Sequence, residues 1–114
     1  MAKQSARHGW LLEYGIRYYE KKGFYVIFRD DDRLMYPMPD PPSLALVYLP
    51  DAQMRRGSHE VWIEAETESK NVINKIGKLG FCHLLYQDFE QALDRVDEVC
   101  YCIDDDLLIT DLRI

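Results

Sequence analysis

His59-Glu60-Val61-Trp62-Ile63-Glu64-Ala65-Glu66-Thr67-Glu68-Ser69-Lys70 is the stretch on which the reading of the fold turns. Its first half has the character of a strand and its end that of a helix start. Side chains on a strand alternate faces with period two. Val61, Ile63 and Ala65 therefore share an apolar face, and Trp62, Glu64 and Glu66 share the other. With a rise of ~3.3 Å per residue, the Cα atoms of Glu64 and Glu66 stand roughly 7 Å apart. Like charges held side by side and desolvated are costly in their ionised form. A divalent cation or a basic neighbour removes that cost, so this strand is the place where the sequence points to chemistry.

The segments around it set the frame. Residues 5–22 have a helical pattern, with Ser5 as N-cap, a Leu11, Tyr14 and Tyr18 stripe, and Gly23 as the stop. Glu13 lies beside that stripe. Phe24-Tyr25-Val26-Ile27-Phe28 is an aromatic and β-branched strand run that ends at Arg29-Asp30-Asp31-Asp32-Arg33. Pro37, Pro39, Pro41 and Pro42 exclude helix and central strand from the next segment, which reads as an extended loop. Ser43-Leu44-Ala45-Leu46-Val47-Tyr48-Leu49 is nearly continuous in apolar residues and is expected as a strand buried on both faces. Residues 50–58, with the basic pair Arg55-Arg56, then form a polar hairpin connection whose arginines meet solvent or phosphate.

After Ser69, Val72, Ile76, Leu79, His83 and Tyr86 recur at helical spacing, interrupted by Gly77 and Gly80. Lys70, Lys75 and Lys78 lie on the opposite face, and His83 reads as a core histidine. Val99 to Ile103 is a further strand, Asp104-Asp105-Asp106 a turn, and Leu107 to Leu112 a last strand, which makes a C-terminal hairpin. A strand reached through a helical crossover runs parallel to a neighbour. The fold class expected is α/β, a mixed central sheet flanked by helices.

Composition bounds the function. The 114 residues are of single-domain size, with 47% hydrophobic and 30% charged content, ordinary for a globular protein. Cys82, Cys100 and Cys102 are expected as reduced thiols, since Cys100 and Cys102 point the same way on one strand. No apolar run reaches the roughly 20 residues of a membrane helix, and residues 1–10 lack the apolar core of a secretory signal. The expectation is a cytoplasmic protein without a membrane partner. A formal net charge of −6 argues against sequence-blind DNA binding through a basic face, yet leaves room for a local basic patch.

The element order resembles the αβββαβ core of the restriction-endonuclease-like fold, the PD-(D/E)XK nuclease superfamily. The likeness spans residues 5–103, and its local cues are similar to those of small archaeal Holliday junction resolvases. Ser5, Gly9 and Glu13 resemble the first-helix motif, and Gly23-Phe24-x-Val26 resembles the first strand. Pro42-Ser43-Leu44-Ala45 stands where the family writes Pro-Asp, and Ile63-Glu64-Ala65-Glu66 where it writes Glu-x-Lys. Ser43 in the place of the metal-binding Asp, and Glu66 in the place of the Lys, make the motif degenerate. Asp40 reaches the site only if the Pro-rich loop folds back. The string from Glu64 to Lys70, with Tyr86 later in the helix, also resembles a subset tied to mobile-element proteins, in which the catalytic Lys migrates to the following helix.

The resemblance implies a Mg²⁺- or Mn²⁺-dependent nuclease acting on DNA, as a homodimer. Glu64 and Glu66 would then be catalytic metal ligands, Glu13 and Asp40 further carboxylates, and Lys70 or Lys75 the group that orients water. Beside it stands a catalytically degenerate relative that binds nucleic acid or a protein partner. A third reading is an unrelated small α/β protein with Glu64 and Glu66 facing solvent on an edge strand.

Overall fold

The computed structural model describes residues 6–66, 98–103 and 106–110. The chain runs α1 (Ala6–Glu20), β1 (Tyr25–Arg29), a short α2 (Leu44–Val47), β2 (Ala52–Arg56), β3 (His59–Glu66), β4 (Glu98–Ile103) and β5 (Asp106–Thr110). The strands form one five-stranded sheet in the order β1-β2-β3-β4-β5. β2 runs antiparallel to both β1 and β3, β4 lies parallel to β3, and β5 returns antiparallel to β4. The mixed sheet and the terminal hairpin expected from the sequence are thus present. Ser5, the helix expected after Ser69, and Lys70, Lys75, Lys78 and His83 on it lie outside the described residues.

α1 ends on a Schellman motif. Gly23 at φ 91° turns the chain, its N–H donates to the Glu20 carbonyl, and the Phe24 N–H reaches back to the Tyr19 carbonyl. The Tyr19 and Phe24 rings meet edge to face with centroids 5.4 Å apart, the apolar contact that accompanies this cap. The strands β2 and β3 are joined by Gly57-Ser58, with Gly57 at φ 59°, a backbone region that suits the tight hairpin and disfavours other residues.

The apolar face predicted for β3 is the one that receives α1. Val61, Ile63 and Ala65, with Ala52 and Met54 of β2, pack against Leu11, Leu12, Ile16 and Tyr19. In the β1–β2 ladder the register shifts between Val26 and Phe28. Val26 therefore packs on the α1 side, while Phe28 pairs with Gln53 and is fully buried.

One expected strand is a helix. Residues 43–49 are not the second strand; Leu44–Val47 is a short helix, and Ala52–Arg56, expected as part of a loop, is the strand. The Pro41, Pro42 and Ser43 carbonyls accept from the Leu44, Ala45 and Leu46 N–H groups, so the proline pair nucleates a helical turn. Pro is pre-set for the first turn of a helix, and Leu and Ala propagate it well. Leu44 is buried and Leu46 is 86% exposed, one-sided burial that a strand covered on both faces would not show.

The Gly23 turn is testable. An added Cβ there would sit 3.3 Å from the Arg56 side chain, and the positive φ itself costs a non-glycine residue about 1–2 kcal/mol. Gly23→Ala is expected to lower the free energy of unfolding by about that amount in urea titration. An unchanged midpoint would mean that the helix end relaxes without cost.

Candidate functional site

The second face of β3 carries Glu60, Trp62 and Glu64, all buried. A buried carboxylate needs donors, and the chain between β1 and β3 supplies them. Glu60 accepts from Arg55 Nε at 2.6 Å, Gln53 Nε2 at 3.1 Å and Trp62 Nε1 at 2.9 Å. Gln53 and Arg55 are neighbours of Trp62 and Glu60 in the ladder, so the polar residues of β2 face the acids of β3. Burial works against the charge of Arg55, but the hydrogen bonds it donates to Glu60 and Asp40 outweigh it and its pKa moves upward. Arg55 is therefore cationic throughout the working range of pH.

The Pro-rich loop does fold back. Asp40 gives its N–H to Gln53 Oε1 and accepts Gln53 Nε2 on its carbonyl, and its carboxylate takes Arg55 Nη1 at 2.6 Å. This places Asp40 at the level of Gln53 and Arg55, opposite Trp62 and Glu60, rather than at Glu64. Along β3 the backbone at Trp62 is roughly 7 Å, and that at Glu60 roughly 13 Å, from Glu64. The expected reach of Asp40 to the site is met in the fold-back of the loop and not in the destination. Arg55, expected at a loop tip meeting solvent or phosphate, is instead tied down between two carboxylates.

Glu64 is fully buried, and Tyr48, just beyond α2, donates its hydroxyl to Glu64 Oε1 at 2.7 Å. The Tyr48 ring stacks on Trp62 with centroids 5.9 Å apart and planes at 15°. β3 is an interior strand between β2 and β4. The alternative of Glu64 facing solvent on an edge strand is thereby overturned. Glu66 closes β3 opposite Ile103.

Asp51, which the sequence reading passed over, stands beside the backbone at Glu64. Ala52 pairs with Ile63, so Asp51 lies at the head of β2 on the level of Glu64. Its Oδ2 accepts the Ala65 N–H at 2.8 Å, on the peptide that follows Glu64. Its carbonyl accepts the Asp30 N–H, which ties the end of β1 to the same point. His8 of α1 approaches Asp51 Oδ2 with Nε2 at 3.3 Å. Asp51 is buried like Glu64. The signal was in view: Pro50-Asp51 is a literal Pro-Asp pair directly before a strand. Once the second strand is residues 52–56, Pro50-Asp51 and not Pro42-Ser43 stands at its head. Ser43 precedes α2 and is on no strand.

Glu13 is held elsewhere. Arg29 Nη1 donates to its Oε2 at 3.0 Å, and Arg17 Nε approaches its Oε1 at 3.5 Å. The hydrogen bonds that Arg29 donates to Asp31 above all, and to Glu13, raise its pKa. Among the described residues no three His, Cys, Asp or Glu side chains converge as a ready metal-ligand group, and no helix is long and apolar enough to cross a membrane.

The Arg55–Glu60 pair makes a distinct prediction. Arg55→Met leaves Glu60 desolvated without its cation and should cost about 3 kcal/mol in chemical denaturation. Arg55→Met combined with Glu60→Gln should recover most of that loss. Equal destabilisation of the single and double variants would show that Glu60 draws no charge compensation from Arg55.

Comparison with known protein families, with characterised proteins and with solved structures finds no match to this chain, so the reading of the site rests on its residues and their geometry.

Proposed function

We propose that the chain is a metal-dependent nuclease-like protein of the restriction-endonuclease type, acting on nucleic-acid phosphodiesters with Asp51 and Glu64 as its central carboxylates. The observation that carries this reading is the contact of the Asp51 carboxylate with the peptide next to Glu64, at the point where β2 begins beside β3. The strand arrangement agrees with it. A helix, an antiparallel three-strand meander and a strand parallel to β3 are what the αβββαβ resemblance calls for.

The residues fit a hard divalent cation. Mg²⁺ is held through one or two carboxylates, with waters and substrate phosphate oxygens completing its shell. Asp51 and Glu64 are that many. Each carboxylate is oriented by donors from the protein, Ala65 N–H and His8 on Asp51 and the Tyr48 hydroxyl on Glu64. When bound, the ion supplies Lewis-acid stabilisation of the phosphoryl oxygens and a more acidic water. Trp62, buried on the same face as Glu64, keeps bulk water from that carboxylate and strengthens its field. Glu66 would be the second acidic position of β3. Lys70 or Lys75, which follow β3 in the chain, would orient the attacking water.

On this reading Asp51 takes the place of the family's Asp, and Ser43, which precedes α2, lies outside the motif. Glu66 in the place of the family's Lys favours the second reading, a relative that binds nucleic acid or a protein partner without cleaving. Homodimer formation belongs to the first reading and remains a proposal with it.

Calorimetric titration with Mn²⁺ separates these readings. Wild type is expected to bind one ion, with Asp51→Asn and Glu64→Gln each weakening it by at least about tenfold, while Ser43→Asp leaves it unchanged. Metal-dependent cleavage of branched or linear DNA should vanish in both carboxylate variants. Mn²⁺ affinity that is the same in wild type and Asp51→Asn would overturn the assignment. Metal binding without cleavage would select the second reading.

A further inference from the structure

The outward stripe of α1 is the feature that the proposed site does not use. At 3.6 residues per turn, Trp10, Tyr14, Arg17 and Lys21 fall on one side, opposite the core-facing Leu12, Ile16 and Tyr19, with Tyr18 at the edge, half-buried and packed against the core. Trp10 is 53% exposed and Tyr14 is exposed beside it, their rings stacked with centroids 5.9 Å apart. The Arg17 side chain and Lys21 are exposed. Lys22 extends the stripe with Nζ 4.4 Å from the Tyr18 ring centroid. Arg56 continues it from β2: its guanidinium lies over the Phe24 ring at 4.9 Å and donates to the Lys22 carbonyl. The acids of the helix, Glu13 and Glu20, stand to one flank, and Glu13 is engaged by Arg29 and Arg17.

We propose that this stripe is a binding platform for single-stranded nucleic acid. In a chain of net charge −6, a surface that sets exposed aromatic rings beside Arg17, Lys21, Lys22 and Arg56, with Glu13 and Glu20 only on its flank, is complementary to a polyanion that carries flat apolar bases. Single-strand binders combine these two elements: cations that follow the phosphates and aromatic faces on which bases stack. A duplex keeps its base faces inside its own stack, so only an unpaired strand can use Trp10 and Tyr14. From Trp10 to Lys21 the stripe runs roughly 16 Å along the helix at 1.5 Å per residue. The inference stands independently of Asp51 and Glu64, because binding on α1 requires neither metal nor cleavage.

The test uses the whole chain in EDTA, so that failure of the metal site leaves the result untouched. Trp62 is fully buried and Trp10 exposed, so quenching of tryptophan emission by an oligodeoxythymidylate reports on Trp10. Saturable quenching is expected, with a matched duplex binding at least about tenfold more weakly. In anisotropy titrations with labelled oligonucleotide, Trp10→Ala and Tyr14→Ala should each weaken binding roughly tenfold. Arg17→Ala with Lys21→Ala should reduce the slope of log affinity against log salt by about 0.7 per lost phosphate contact. All four residues face outward, so thermal unfolding should be unchanged. No binding at low salt, equal affinity for duplex and single strand, or equal affinity in wild type and Tyr14→Ala would overturn the proposal. A dimer in sedimentation that Trp10→Ala converts to monomer would also overturn it, assigning the stripe to a second copy of the chain.

Discussion

Two carboxylates on the buried second face of β3 set the terms for the rest of the chain. Glu60 and Glu64 lie within the sheet, away from α1, and each is costly there unless donors reach it. Glu60 is met by its ladder neighbours Gln53 and Arg55 and by Trp62. Glu64 is met by Tyr48, which arrives from outside the ladder. Residues 30–50 therefore have to return across this face, and the proline segment with its short helix is the route. Asp40, held by Gln53 and Arg55, anchors one end of that route, and Tyr48 anchors the other.

The same arrangement divides the acids by role. Glu60 and Asp40 share one guanidinium, a closed ion-pair network with its own counter-charge. Asp51 and Glu64 are held by other groups: the Ala65 N–H and His8 meet Asp51, and the Tyr48 hydroxyl meets Glu64. α1 contributes to both halves of the functional picture. Its inner face holds the sheet and carries His8 to Asp51, and its outer face carries Trp10 and Tyr14.

Much of the frame was legible in the residues. The alternation of Val61, Ile63 and Ala65 against Trp62 and Glu64 assigned the two faces of β3 correctly, because period two leaves a strand no other way to present its side chains. The helix before Gly23 and its stop follow from local chemistry, since only glycine takes the positive φ of that cap without strain. The parallel pairing of β4 with β3 follows from the length of the connection between them. The Asp-rich turn before β5 likewise marked the final hairpin.

The tertiary structure alone decided which segment is the second strand, and with it the site. Leu44-Ala45-Leu46-Val47 is an apolar run that fits a buried strand or a helical turn equally well by periodicity. Ala52-Gln53-Met54-Arg55-Arg56 looks like loop, because Gln53 and Arg55 cannot be buried without partners. Those partners, Asp40 and Glu60, come from a loop upstream and a strand downstream, and no local pattern announces them. Long-range hydrogen bonds made a strand of the polar segment, and the proline pair made a helix of the apolar one. Asp51 was visible beside Pro50 throughout, but its place next to Glu64 exists only in the register of β2 on β3.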